Sequence, residues 1–216
     1  MIRVLLADDH AMVRAGLREL LTATGDIEVV AEATNGQDVI AAVAEGTFDV
    51  IVLDMSMPGR SGIELIKLVK HEQPKLRILV LSMHSEQQYA VRAVKAGASG
   101  YLTKESAADE LVAAIRRVAG GGAYITPETA ERLVLDSSSA TQGPAHGRLS
   151  DREFEVFRMI VGGRSITDIA KALNLSVKTI STHKTRILEK MELSTLADLV
   201  RYALEHGLAD DERGVP

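Results

Sequence analysis

Five short apolar runs, each followed by a stretch with helical spacing, occupy residues 1–118 and leave few folds open. The middle run, Val50-Ile51-Val52-Leu53, has no polar residue and closes on Asp54. A run without polar alternation reads as a strand buried on both faces, as in a parallel sheet. The other strands are expected at 2–8, Val29-Val30-Ala31, Arg77–Ser82 and Tyr101-Leu102-Thr103. Between them, Val13, Leu17, Leu20 and Leu21 mark one helix, and Val39, Ile40 and Val43 a second. Ser61-Gly62 opens a third, with Ile63, Leu65, Ile66 and Val69 on one face, and residues 86–96 and 106–118 complete the series. Strict alternation predicts a doubly wound α/β unit, a five-stranded parallel sheet covered on both faces. Right-handed crossovers restrict the topology. The strand order 2-1-3-4-5 then sets the ends of strands one and three side by side.

The rest of the chain changes character. Gly120-Gly121-Gly122 ends the first unit, and Thr126-Pro127-Glu128 starts a helix expected to reach about Leu135. Residues 137–147 contain no large apolar side chain and read as a flexible linker. From Leu149 the pattern is helical. Ser150 and Glu153 form a capping box ahead of Phe154, Phe157 and Ile160. A short helix follows from Ile166 to Leu173, and Asn174-Leu175-Ser176 turns the chain. Val177, Ile180, Ile187 and Met191 mark the buried face of a longer helix. Ser194 or Thr195 caps a last one, carrying Leu196, Leu199, Val200 and Ala203. The tail Asp210–Pro216 reads as frayed. The expected division is 1–120 for the α/β unit, 121–148 for a linker with a short helix, 149–207 for a small all-α unit and 208–216 for a tail.

Composition removes several function classes. The chain has no cysteine, which excludes disulfides, zinc thiolate sites and thiol nucleophiles. No window approaches the ~18 apolar residues of a membrane span, and a cytoplasmic protein with no membrane partner is expected. Net charge is −5. Residues 164–191 nevertheless hold six basic side chains, Arg164, Lys171, Lys178, Lys184, Arg186 and Lys190, against Asp168 and Glu189. A basic segment on an acidic chain hints at nucleic acid, though a solvated helix face has the same composition.

The predicted topology gathers Asp8, Asp9 and Asp54 in one crevice, flanked by Ser82 and Lys104 at the ends of strands four and five. Three carboxylates together repel one another, and a hard divalent cation such as Mg²⁺ resolves the conflict while keeping waters for a phosphoryl ligand. A lysine supplies a point charge for phosphate oxygens, and a serine hydroxyl can bond one of them. This constellation suggests phosphoryl chemistry at an aspartate nucleophile. A metal-dependent phosphatase is the enzymatic alternative. Such enzymes usually carry nucleophile and acid two residues apart after strand one, whereas here Asp8 and Asp9 are adjacent and followed by His10. The reading is that of a protein that is not an enzyme.

With these residues in place, 1–118 resembles the receiver domain of bacterial two-component response regulators. Asp8-Asp9 match its acidic pair, Asp54 the phosphorylated aspartate, Ser82 and Tyr101 the switch residues and Lys104 the lysine of the family pattern. The resemblance implies a flavodoxin-like fold, with Mg²⁺ bound by Asp9, Asp54 and the Ser56 carbonyl and Asp8 assisting. It also implies phosphoryl transfer to Asp54 from a sensor histidine kinase. Glu105 stands where many receivers have Pro after the lysine, so a cis bond is not expected there. Met55 and Met57 read as packing residues.

In the all-α unit, the long helix carries a polar stripe opposite its apolar face: Lys178, Ser181, Thr182, Thr185 and Glu189. Such a stripe on the second helix of a helix-turn-helix fits the major groove, with permissive Ser and Thr readout. The pattern alone fits a plain helical bundle as well. The segments Leu149-Ser150-Asp151-Arg152-Glu153, Asp168-Ile169-Ala170, Leu173-Asn174-Leu175-Ser176 and Lys178-Thr179-Ile180-Ser181-Thr182-His183 resemble the LuxR-type DNA-binding domain. Joined to a receiver, the chain is similar to the NarL/FixJ response regulators. The resemblance implies DNA contacts from Lys178, Thr179, Ser181, Thr182, His183, Lys184, Thr185 and Arg186, and a homodimer when phosphorylated. Ser181 and Thr185 stand where Lys is common, and Lys184 where Val is usual. His183 fits either a phosphate contact or helix packing. The last helix, through Leu196, Leu199, Val200 and Ala203, is the expected dimer seam.

Overall fold

The computed structural model describes residues 1–58, 62–82, 87–105, 108–138 and 144–208. Ser61, the middle of the expected linker (139–143) and the tail Asp210–Pro216 lie outside the described residues. The chain divides into two compact units, Met1–Leu133 and Val134–Pro216.

The first unit alternates strand and helix: β1 (Ile2–Ala7), α1 (Ala11–Ala23), β2 (Ile27–Ala33), α2 (Gly36–Glu45), β3 (Val50–Asp54), α3 (Gly62–Glu72), β4 (Arg77–Ser82), α4 (Gln87–Lys95), β5 (Gly100–Thr103) and α5 (Ala108–Ala119). The sheet is parallel in the order β2-β1-β3-β4-β5. All five residues of β3 are buried, as its uninterrupted apolar run demands. Full burial of each such aliphatic side chain stabilises the fold by about 1.5–3 kcal/mol. Ala7 pairs with Leu53, so the residues that follow β1 emerge beside the end of β3. Asn35 starts α2 by accepting from the Gln37 and Asp38 amides.

The edge at β5 is covered by the chain's own continuation. Beyond α5, Tyr124 donates its N–H to the Ser99 carbonyl (3.0 Å) and accepts from the Tyr101 N–H (2.9 Å). It thereby forms a one-residue parallel bridge to Gly100. Backbone otherwise open to another chain is satisfied internally. The approach is close: a Cβ on Gly100 would meet Leu79 Cδ1 at 2.8 Å and the Tyr124 carbonyl at 3.0 Å.

α6 (Pro127–Ser138) starts where the Thr-Pro-Glu signal put it but runs through Ser138, past the expected end near Leu135. The second unit then holds a 3₁₀ turn (Ala145–Arg148), α7 (Asp151–Val161), α8 (Ile166–Ala172), α9 (Val177–Met191) and α10 (Leu196–Glu205). The 3₁₀ turn falls where a flexible linker was expected. Its order comes from His146, which is 2% exposed and places Nδ1 2.8 Å from the Tyr202 hydroxyl. Ser150, Ser165, Ser176 and Thr195 cap the four helices, Ser150 and Thr195 through reciprocal capping boxes. Asn174 takes a left-handed conformation (φ 52°) between α8 and α9, which Asn tolerates better than most residues. The core is built from Phe154, Phe157, Ile160, Ile169, Ile180, Ile187, Met191, Leu199 and Ala203. Buried Glu153 ties the first and third helices together: its Oε2 accepts from the Ser150 amide and hydroxyl and from Lys190 Nζ. Burial alone would raise the Glu153 carboxyl, but these bonds outweigh it and hold it below the usual range.

Val177 departs from expectation at 48% exposed. It is the first residue of α9 and lies about 60° round the helix from Ile180, where the apolar face has run out.

The two kinds of glycine in the first unit should respond oppositely to alanine. Gly100→Ala is expected to lower the unfolding free energy by about 1–3 kcal/mol. Gly16→Ala, in α1 with nothing within 4 Å of a new Cβ, should raise it by up to about 1 kcal/mol. Urea unfolding followed by circular dichroism checks both.

Candidate functional site: a carboxylate cluster and an exposed helix

Parallel pairing assembles the first cluster. Asp54 ends β3 and is 1% exposed, while Asp8, also 1% exposed, follows β1 and donates its N–H to the Ala33 carbonyl. Lys104 extends the β4–β5 ladder by one bond, from its N–H to the Ser82 carbonyl. That bond holds its side chain over the crevice. Lys104 Nζ lies 2.8 Å from Asp8 Oδ2 and 2.8 Å from Asp54 Oδ2. The other oxygens accept from backbone: Asp8 Oδ1 from the His10 N–H at 2.7 Å, Asp54 Oδ1 from the Ser56 N–H at 3.0 Å. Each buried carboxylate is thus held by one amide and by a shared ammonium.

Burial pushes the Asp54 carboxyl above its ordinary value, against the lowering effects of Lys104 and the Ser56 amide. For Lys104 burial acts downward, but the bonds to Asp54 and Asp8 outweigh it and raise the ammonium. The site therefore strongly favours a positive charge among its carboxylates. Asp9 is more open, with its side chain 30% exposed. Ser82 is fully buried at the end of β4, and Tyr101 is 7% exposed on β5. Met55 and Met57 are buried. The Lys104–Glu105 peptide bond is trans.

Oxygens of Asp8, Asp9 and Asp54 and a ring nitrogen of His10 all lie within 4.8 Å of one another. Sequence reasoning gave His10 no role. The only signal available was its adjacency to two acids, which spacing alone cannot distinguish from an exposed loop residue.

In the second unit, α8, the Leu173–Ser176 turn and α9 form the helix-turn-helix. Lys178, Ser181, Thr182, Thr185, Arg186 and Glu189 are exposed on α9, while Thr179, His183 and Lys184 are half-buried. The structure thus gathers Lys178, Ser181, Thr182, Thr185 and Arg186 on an open face and sets the other three candidates partly inward. Thr179 Oγ1 is engaged at the cap, 2.7 Å from Ser176 Oγ. His183 Nδ1 is buried without a hydrogen-bond partner, and burial lowers the imidazole's pKa. The ring is therefore a packing element on its Nδ1 side. Ser181, Thr182 and Thr185 each donate their hydroxyl to the carbonyl four residues back. Exposed Val177, at the start of the same helix, was missed because the apolar period assigned it to the core.

The expected seam on α10 also needs correction. Leu199 and Ala203 are fully buried, because their spacing faces α7. The side left open carries Leu196 (49% exposed), half-buried Val200 and Leu204 (65% exposed), spaced i, i+4, i+8.

Comparison with known proteins agrees with both units. Residues 4–116 match the response regulator receiver domain, and residues 147–203 match the bacterial regulatory proteins of the luxR family. The response regulator UvrY of Escherichia coli is 36% identical over 214 residues, covering 98% of each chain. The response regulator GacA of Pseudomonas aeruginosa is 35% identical over 211 residues, 97% of this chain and 99% of that one. Among solved structures, RcsB of Salmonella typhimurium aligns with a TM-score of 0.72 and 31% identity, over 94% of this chain and 97% of that one. RcsB has also been solved bound to promoter rprA in the presence of phosphomimetic BeF3⁻, and that structure aligns with a TM-score of 0.65 and 32% identity, over 93% of this chain and 97% of that one. The chain belongs to the NarL/FixJ family of response regulators, which join a receiver domain to a LuxR-type helix-turn-helix domain. No helix among the described residues is long and apolar enough to cross a membrane.

Removing the shared ammonium should expose the cost of the carboxylates. Asp54 holds its proton more tightly folded than unfolded, so its ionisation opposes folding as pH rises from its unfolded to its folded value. Lys104→Met is expected to cost roughly 3 kcal/mol of stability near neutral pH. The deficit should shrink as pH falls through the carboxylate range, because protonated Asp54 no longer needs a counter-ion. Urea titrations at about pH 7 and about pH 4.5 measure it.

Proposed function

We propose that the protein is a phosphorylation-controlled transcription regulator, with Asp54 as phosphoacceptor for a sensor histidine kinase. One observation carries this reading: Asp54 is buried beside Asp8 with one oxygen on the Ser56 amide and the other on Lys104, which bonds both carboxylates. In the transfer, an Asp54 oxygen attacks phosphorus, the phosphorus–nitrogen bond of a phosphohistidine breaks, and an acyl phosphate forms on Asp54. Asp54 is modified in this step rather than regenerated, so the chain acts as an acceptor and not as an enzyme.

Asp8, Asp9, Asp54 and the Ser56 carbonyl would hold Mg²⁺, and their clustered oxygens and the raised Asp54 carboxyl fit a divalent cation. When bound, the ion neutralises charge on the transferring phosphoryl oxygens. Lys104 Nζ, already equidistant from two carboxylates, is placed to transfer one bond to a phosphoryl oxygen. Ser82 and Tyr101, on neighbouring strands, would answer the new group by repacking the end of the sheet.

The output is DNA binding by a dimer. RcsB, similar along nearly the whole chain, has been solved on promoter DNA with a phosphomimetic and as dimers bound to DNA. On α9, Lys178 and Arg186 would contact phosphates while Ser181, Thr182 and Thr185 face base edges. The open stripe Leu196, Val200, Leu204 on α10 replaces the expected seam as the dimer contact. A regulator of this kind works on chromosomal DNA in the cytoplasm.

Two experiments bear on this reading. DNA binding is measured with and without Mg²⁺ and a small phosphodonor, for wild type and Asp54→Ala. Tighter binding that needs both the donor and Asp54 is expected, and indifference to both would refute the switch. For the seam, Leu204→Glu should weaken DNA binding while leaving Asp54 phosphorylation and the thermal transition intact. Leu199→Ala should instead cost about 2–5 kcal/mol of stability in the second unit, read by hydrogen exchange of the α7 and α9 amides.

A further inference from the structure

We propose that α9 selects A·T base pairs: the hydroxyls of Ser181, Thr182 and Thr185 accept from adenine amino groups, and the methyls of Val177, Thr182 and Thr185 pack on thymine methyls. This selectivity rests on α9 entering the major groove, as proposed above, and adds to it the base chemistry that the helix accepts. An unengaged serine or threonine hydroxyl bonds donors and acceptors alike. These three have their protons committed within the helix. Ser181 Oγ donates to the Val177 carbonyl (2.9 Å), Thr182 Oγ1 to the Lys178 carbonyl (3.0 Å) and Thr185 Oγ1 to the Ser181 carbonyl (3.2 Å). A carbonyl only accepts, so the direction of each bond is fixed. What the side chains offer outward is oxygen lone pairs.

The donors in the major groove are the amino groups of adenine and cytosine, while guanine O6 and N7 and thymine O4 are acceptors. Three acceptor hydroxyls therefore match adenine or cytosine, and Val177 decides between them. It is the first residue of α9 and is 48% exposed. It lies one turn before Ser181 and about 40° round the helix from it. Recognition helices meet base edges through their N-terminal residues, so its isopropyl group stands among the first base pairs. The apolar group available to it there is the thymine C5 methyl, and the adenine paired with that thymine supplies the amino donor. A G·C pair offers an amino group without a methyl. It also adds guanine O6 and N7, for which the three hydroxyls have no proton left. Glu189, further along the exposed face, is likewise an acceptor when ionised. Lys178 and Arg186, taken by phosphates, contribute equally to every sequence.

The test starts with the full chain, Mg²⁺ and acetyl phosphate, and a pool of random duplexes from which bound half-sites are selected. A·T pairs should dominate the positions that α9 faces. Each of them is then replaced by a base analogue, and affinity is read by fluorescence anisotropy. Deoxyuridine removes the thymine methyl, and 2-aminopurine, in place of adenine, moves the amino group to the minor groove. Each replacement at a contacted position should weaken binding about threefold to tenfold. Val177→Ala should abolish the deoxyuridine effect at one position. Thr182→Val, which keeps a methyl and loses the acceptor, should abolish the 2-aminopurine effect at one position. Both variants should keep wild-type affinity for unselected duplex, since the phosphate contacts remain. Half-sites dominated by G·C pairs overturn the inference while leaving α9 in the groove. So do A·T half-sites indifferent to both analogues, because DNA shape would then carry the preference. Failure to bind any duplex overturns the placement of α9 in the groove, and the base selectivity with it.

Discussion

Two carboxylates buried at the ends of adjacent strands are tolerable only because one ammonium reaches both. Desolvating a carboxylate is expensive, and desolvating two side by side adds repulsion to that cost. The Lys104 bonds to Asp8 and Asp54 relieve both terms at once. The remaining oxygens are satisfied by backbone amides of His10 and Ser56. The arrangement depends on the sheet: β1 and β3 must be neighbours for the acids to meet, and the β4–β5 ladder must run one residue past Thr103 to deliver the lysine. The same constraint defines the reactivity. A pocket that raises the pKa of its own carboxylate is one in which an added positive charge, or a rearranged ammonium, has a large effect.

The first unit was legible in the sequence because its signals are cumulative. β3 is a run with no polar interruption, and the alternation around it admits few topologies. Acids at two strand ends and a lysine at a third then fall together without any long-range information. His10 was invisible for the opposite reason. Its placement depends on a backbone amide bound to Asp8 and on a cap bond not made, and neither has a sequence signature.

In the second unit the sequence named the elements but misjudged some of their faces. Val177 and Leu199 both satisfy an apolar period, yet one is half exposed and the other fully buried. Periodicity specifies a stripe and says nothing of where along the helix its partners end. On α10 the apolar positions are numerous enough to furnish two faces, one for α7 and one left open, and the pattern merges them. The 3₁₀ turn was hidden by composition. Ala145-His146-Gly147-Arg148 has no large aliphatic residue, and its order comes from His146 engaging a tyrosine 56 residues away.

The bridge between Gly100 and Tyr124 has a mechanical consequence. The chain leaves α5 at Ala119 but is not released there, because Tyr124 is fastened to the rim of the sheet by two backbone bonds and by packing on the core. The start of α6, which lies within the first unit, is therefore held to β5 rather than hanging from the end of α5. A pull on α6 would load the Tyr124 bonds to Ser99 and Tyr101 before it reached α5.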